Sequence, residues 1–316
     1  APLYHWGSMP LVALAASTRA SRLDAATERW DALQASRPDL EPAISLQKQL
    51  VGLVLDLSDA IAQRPLPKLS LPAKYLAAKL TRGMPILAGE PIPLPVGLMK
   101  SSFLAVCDTL AEGGAGDIAR HISGLVTDGQ LDTGSLLNAS VTRDQQAIRT
   151  AAQHRGVSAD LLWLAAELTA SPFVHALQRA LFAGEDEKLA AAKDTWNQGY
   201  CAACGSWPAL AEVVGGHRIL RCSFCALAWE LTTYACVYCG EEGEPFVTAA
   251  PDDERKHRRV EVCGSCGSYL KTLDLPELSA FPLLAITDLD TMDLDVATME
   301  HGYQRPPMKD FAVGHR

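Results

Sequence analysis

The chain has 316 residues, of which 48% are hydrophobic and only 6% aromatic. That is enough for two or three domains with a real core, and an Ala- and Leu-rich, aromatic-poor composition points to helical packing over most of the length. The net charge of −9 argues against a general nucleic-acid binder, which needs a basic surface. No apolar run reaches the roughly 18–20 residues that span a bilayer.

Residues 1–20 carry no assigned element. Met9–Ser17 is briefly apolar, but no positively charged segment precedes it. It does not read as a secretory signal, so a reducing, cytoplasmic setting is expected. From 21 to 196 the pattern is helical. Ser21 is placed to cap a helix carrying Leu23, Ala26, Trp30 and Leu33 at helical spacing. Asp39 is placed to cap the next, where Ile44, Leu50, Val51, Val54, Leu55 and Ile61 make a broad apolar face before Pro65. Pro91, Pro93 and Pro95 break the chain ahead of a helix over Val96–Leu110, which Gly113, Gly114 and Gly116 close. Further helical patterns cover Asp117–Val126, Asp144–Gln153 and a stretch from Ser158 past Pro172 to Leu181. Cys107, inside an apolar helical stretch, reads as a small buried core residue. This half holds no chemical motif, and its expected role is scaffold or partner surface.

Near Asn197 the helical period stops. Strand-like runs at His217–Arg221, Ala228–Tyr234 and Arg259–Val262 separate paired cysteines, the pattern of small ribbons stapled by metal because each has too little core to fold alone. A Pro-containing linker then leads to a last helix. Thr287 and Asp290 resemble a capping box, Leu289, Met292, Val296 and Met299 form a stripe, and Gly302 is placed to end it.

Eight of the nine cysteines fall in four C-x-x-C pairs: Cys201/Cys204, Cys222/Cys225, Cys236/Cys239 and Cys263/Cys266. Two intervening residues let one tight turn aim both sulfurs at one ion, and Gly205, Gly240 and Gly267 relieve crowding after three of the pairs. Ala226 takes that place after the fourth. Two pairs make one tetrahedral sulfur site suited to zinc or a single iron. Sequential grouping leaves 17 residues between the pairs of the first site and 23 between those of the second. It is expected over the interleaved alternative. His217 and His257 are expected at the surface, since eight thiols already fill two sites. Arg255–Arg259 is a basic run flanked by Asp252, Asp253 and Glu254, a solvated loop or a docking point for an acidic partner segment. Residues 200–276 hold 10 acidic and 7 basic residues, which disfavours nucleic acid. No catalytic motif is present: no nucleophile elbow, phosphate-binding glycine loop, zinc-protease helix or dinucleotide fingerprint. The residues alone leave open an accessory protein, a zinc-ribbon adaptor or transcription-associated module, and a rubredoxin-like redox protein.

Trp196–Pro208, Leu220–Trp229, Glu261–Leu273 and the tail Asp290–Arg305 together resemble the formate dehydrogenase accessory proteins, the FdhE family. Ala202 stands where that family often has Pro. The resemblance implies an α+β fold: a helical N-terminal domain (21–196), two rubredoxin/zinc-ribbon-like metal modules (197–234 and 235–275), and a C-terminal linker and helix (276–316). It implies a cytoplasmic, chaperone-like protein, not an enzyme, that helps mature a respiratory formate dehydrogenase by binding its catalytic subunit before export. It also implies that the eight paired cysteines hold two metal ions per chain, iron rather than zinc.

Overall fold

The structure, a computed structural model, describes residues 11–14, 17–67, 69, 71–183, 186–251 and 254–308. In chain order the elements are β1 (Leu11–Val12), α1 (Arg19–Ser36), α2 (Glu41–Ala62), α3 (Ala73–Thr81), α4 (Val96–Leu110), α5 (Gly116–Thr127), α6 (Thr133–Val141), α7 (Gln145–Arg155), α8 (Ala159–Phe182) and α9 (Glu187–Asp194). There follow β2 (Pro208–Val214), β3 (His217–Cys222), β4 (Ala228–Glu230), β5 (Phe246–Ala249), β6 (Arg258–Cys263), β7 (Ser268–Asp274), α10 (Leu284–Asp290) and α11 (Met292–Glu300). The class is α+β, with helices first, ribbons after them and helix again at the end. By their contacts the described residues divide into two compact units. One holds Thr18–Ser70 and Gly89–Phe182. The other holds Leu71–Ala88, the described residues from Ala183 onward, and β1.

In the helical unit, α8 is the central element. It buries Leu162, Ala165, Ala166, Phe173, Val174 and Leu177 and packs against α2, α4, α6 and α7. Pro172 lies inside α8 and is itself buried, so the bond its missing N–H forfeits is offset by packing. Caps shift two expected starts. Thr18, not Ser21, caps α1, accepting the Ser21 N–H at 3.1 Å. Asp39 caps nothing. Its carboxylate is taken by Arg37 at 2.8 Å, within a short 3₁₀ turn that leads into α2. Asp144 does cap α7, accepting from Ala147 N–H at 2.9 Å. Asp132 does the same for α6, which the sequence reading did not separate. Cys107 is 1% exposed in the core of this unit, and burial pushes its thiol up to about 12.

The other unit is built on one seven-stranded sheet in the order β1-β4-β3-β2-β7-β6-β5. It is two three-stranded antiparallel ribbons, β2-β3-β4 and β5-β6-β7, joined where β2 runs parallel to β7 (Ala211 opposite Thr272, Val213 opposite Asp274), with β1 added antiparallel to β4 at one edge. The β2–β3 hairpin turns on Gly215-Gly216. Both have positive φ, 59° and 87°, which the two-residue turn that matches strand twist requires. Two fully buried side chains, Glu212 and Arg221, pair across β2 and β3. Glu212 accepts the Ser279 N–H, and Arg221 donates to the Ser279 carbonyl at 2.7 Å. The linker after β7 is thereby tied to the sheet, with Leu278 packed beside Val214, Ile219 and Ala228.

The end of the chain is two short helices where one was expected. Thr287 lies inside α10 rather than at a cap, and the chain kinks at Thr291, whose hydroxyl bonds back to the Thr287 carbonyl at 2.8 Å. The stripe is also rotated. Leu294 and Thr298 face inward, while Val296 and Met299 are exposed. Gly302 ends α11 at φ 88°, as expected.

Candidate metal centres

Each ribbon presents its cysteines in the same way. One C-x-x-C turn precedes the first strand, at Cys201/Cys204 ahead of β2 and at Cys236/Cys239 ahead of β5. The other connects the second strand to the third, at Cys222/Cys225 after β3 and at Cys263/Cys266 after β6. The turns are closed by their own backbone. Gly205 N–H donates to the Cys201 carbonyl at 2.9 Å, Gly240 to Cys236 at 2.8 Å and Gly267 to Cys263 at 2.8 Å. All three glycines have positive φ. Amide groups also point at sulfur, with Ala203 N–H 3.4 Å from Cys201 Sγ, and Phe224 and Cys225 N–H each 3.4 Å from Cys222 Sγ.

The eight sulfurs gather into two groups of four, Cys201/Cys204/Cys222/Cys225 and Cys236/Cys239/Cys263/Cys266, each within 4.8 Å. This is the sequential grouping. In the first group Cys201 lies 3.5 Å from Cys225, and Cys204 lies 3.5 Å from Cys222 and 3.8 Å from Cys225. In the second, Cys236 to Cys266 is 3.7 Å and Cys239 to Cys263 is 3.6 Å. A metal–sulfur bond of ~2.3 Å sets the edge of a tetrahedron at ~3.8 Å. The spacing fits four thiolates around one ion, and each group could hold one.

The groups differ in their surroundings. All four sulfur-bearing residues of the first are at most 3% exposed. Part of the cover comes from a segment distant in sequence. Ile86 and Leu87 N–H groups donate to the carbonyls of Ala202 and Ala203, the two residues inside the first turn, at 2.9 and 3.0 Å. Tyr200 OH donates to the Gly83 carbonyl at 2.7 Å, and Lys79 Nζ holds the same segment through the Ile86 carbonyl at 3.0 Å. In the second group Cys236 and Cys263 are buried, but Cys239 and Cys266 are exposed. A cleft of about 320 Å³ opens beside it, lined among others by Tyr200, Trp207, Tyr238, Cys236 and Cys239. The three aromatic rings stand edge to face, with centroids 5.9 and 5.2 Å apart.

Burial pushes the Cys201 and Cys225 thiols well above the ordinary range. Cys236 rises for the same reason, against the pull of the Cys239 and Tyr238 N–H groups. At Cys263 burial also works against the thiolate, but the Cys266 N–H and the Cys239 thiol outweigh it, leaving Cys263 below its ordinary value. In the first group burial thus disfavours the thiolate form of Cys201 and Cys225. A cation bound among the four sulfurs would supply the positive potential that favours it.

The other sequence candidates lie elsewhere. His217 pairs with Glu230 at 3.2 Å, away from both groups of ligands. His257 is exposed. The basic run is largely engaged within the chain. Arg255 and Arg258 pair with Asp293 at 3.6 and 2.7 Å, and Arg259 pairs with Asp274. The flanking Asp252 and Asp253 lie outside the described residues. The sequence reading missed the cover from Gly83–Leu87, since nothing local to those residues signals it.

Fold and site define a two-centre cysteine-ribbon protein that also carries a helical unit. No family model matches the chain. Among curated proteins it is similar to the FdhE homologue of Aquifex aeolicus, 28% identical over 132 residues (40% of this chain, 46% of that one). It is similar to the Rhizobium meliloti homologue at 29% over 123 residues (37% and 40%), and to the Edwardsiella ictaluri homologue at 35% over 115 residues (35% and 37%). The matched stretches thus span less than half of each of these relatives. The fold matches the crystal structure of the FdhE protein from Pseudomonas aeruginosa with a TM-score of 0.56 and 22% identity, over 94% of this chain and 96% of that one. By these likenesses the chain resembles FdhE homologues over part of its length and shares the fold of a solved FdhE protein.

Proposed function

We propose that this chain is a cytoplasmic, non-enzymatic accessory protein of formate dehydrogenase maturation. In this reading all eight paired cysteines ligate two metal ions, iron or zinc, and the protein acts by binding the formate dehydrogenase catalytic subunit. The observation that carries the reading is the pair of four-thiol groups with tetrahedral spacing, set in an FdhE-type fold. The donor set favours a soft or borderline ion over calcium or magnesium, because thiolates match zinc and iron. The helical unit supplies scaffold and surface. Consistent with a protein that is not inserted in a bilayer, no helix among the described residues is long and apolar enough to cross a membrane.

The reading is tested by capture. The metal-loaded chain, immobilised, should retain the catalytic subunit of a respiratory formate dehydrogenase. Cys201→Ser/Cys204→Ser should lower formate oxidation in cells without changing transcript levels of the subunits. An adaptor acting in transcription would change transcripts first. Absence of capture by the intact chain removes the proposed partner. Because the arginines of 255–259 are engaged by Asp293 and Asp274, neutralising that run should weaken capture less than disrupting either centre.

A further inference from the structure

We infer, on the reading that both groups hold metal, that the two centres have different roles. Cys201/Cys204/Cys222/Cys225 is a permanent staple, and Cys236/Cys239/Cys263/Cys266 is an exchangeable centre open to soft external ligands. The division rests on access. Replacing a ligand at a tetrathiolate ion needs an incoming donor to reach the ion or one of its sulfurs. At the first centre every cysteine is at most 3% exposed. The turn that carries Cys201 and Cys204 is roofed by backbone hydrogen bonds from Ile86 and Leu87. Reaching that ion requires the Gly83–Leu87 segment to lift or the sheet to open, an excursion that costs a substantial part of the unit's stability. At the second centre Cys239 and Cys266 already stand at the surface. Cys236 and Cys239 line a cleft of about 320 Å³, large enough for a small chelator or the end of a side chain. Attack there needs no unfolding. The first centre's second turn is also sheltered, with Cys222 and Cys225 each 0% exposed.

The ligand class follows from the donors. An incoming thiol or a multidentate chelator competes with thiolate for the ion, whereas a lone carboxylate or water does not. The exchange is a ligand substitution: the incoming donor forms a bond to the ion, one Cys–metal bond breaks, and no oxidant or reductant is involved. The released thiolate takes a proton from water.

The test uses the full chain purified without oxygen and loaded with metal. It is incubated with EDTA in the presence of iodoacetamide, and each cysteine's alkylation is followed by peptide mass spectrometry alongside total metal. The expected result is that Cys236, Cys239, Cys263 and Cys266 are modified at least about tenfold faster than Cys201, Cys204, Cys222 and Cys225. Metal content should fall from two ions to one, and then plateau. Cys107 should stay unmodified as the buried control. Equal rates for the two sets, or earlier modification of the first set, would overturn the division of roles. If all eight thiols react at once in a chain that carries no metal after loading, the metal reading itself fails, a result distinct from two ions leaving together.

Discussion

Ala226 holds a φ of 55° at the place in its turn where Gly205, Gly240 and Gly267 hold 83°, 79° and 67°. A side chain in this left-handed region crowds its own backbone, at a cost of about 1 kcal/mol. Ala226→Gly should therefore raise the stability of the sheet unit by about 0.5 kcal/mol, once the greater freedom of glycine in the unfolded chain is subtracted. Urea unfolding should show a higher midpoint, and a lower one would mean that the buried Ala226 methyl matters more than the strain. Gly199 is a different case, a matter of space rather than φ. A Cβ there would lie 1.7 Å from the Val237 carbonyl oxygen, inside the turn of the second centre. Gly199→Ala must push that backbone away and should cost about 3 kcal/mol, seen as a lower unfolding midpoint and weaker metal retention at the second centre. A variant as stable as the parent would contradict the packing described. The glycine pattern around the cysteines was readable from spacing alone. The role of Gly199 was not, because its neighbour Val237 is 38 residues away in sequence.

Among the elements, the C-terminal helices show how charge fastens a helix to a sheet. The buried Lys271 on β7 reaches Asp288 at 2.7 Å and Asp295 at 2.6 Å, and Arg305 lies 3.0 Å from each of the same two carboxylates. Burial raises the Asp295 pKa, but the Lys271 ammonium, Arg305 and the Tyr269 hydroxyl outweigh it and leave it below the ordinary value. A depressed folded pKa means that the stabilisation is fully present above the unfolded carboxyl pKa near ~3.9 and is lost as pH falls through the folded one. Asp295→Asn should cost about 2 kcal/mol at pH 7. The gap from the parent should narrow below about pH 4, as read by urea unfolding at several pH values. A gap that stays constant in acid would show that the carboxylate charge is not what holds the helices. Long amphipathic helices such as α2, α4 and α8 were legible because their apolar residues repeat at helical spacing. The strand β7 was not. It is buried on both faces, Lys271 and Thr272 included, so it lacks the alternation by which half-buried strands are recognised. The strand β4 falls within the expected run Ala228–Tyr234 but ends at Glu230, whereas β5, at four residues, is too short to carry a period, and α3, α6 and α9 are nearly so.

Taken as a molecule, the chain carries one helical unit and one unit whose sheet presents eight clustered thiols. The helical unit buries aliphatic side chains from α1, α2 and each of α4 to α8. The sheet unit buries Trp196, Leu220, Trp229 and Leu270 as well as the cluster of Val214, Ile219, Ala228 and Leu278, and on the proposed reading its eight clustered thiols hold two cations. Removing both ions, the first centre's only under chelation prolonged enough for the sheet to open, should therefore melt the ribbons while the helical unit keeps its fold. Hydrogen exchange should show protection lost in β2–β7 and kept in α2 and α8. Loss of protection in both units together would mean that the helical unit is not independent. Which cysteines cluster could be proposed from spacing, since each C-x-x-C turn is local. That Leu71–Ala88 groups with the metal unit rather than with the helices beside it in sequence could not, because the contacts from Ile86 and Leu87 cross more than a hundred residues.

Two tetrathiolate centres imply a fixed number of bound ions and a fixed set of cysteines that bind them. Native mass spectrometry of the anaerobically purified full chain should find two metal ions per chain. It should find one in Cys201→Ser/Cys204→Ser, one in Cys236→Ser/Cys239→Ser, and none when the two pairs are combined. Cys107→Ser should still bind two. A parent chain with one ion or none after metal loading, or with a disulfide inside any C-x-x-C pair, would contradict the two tetrathiolate centres.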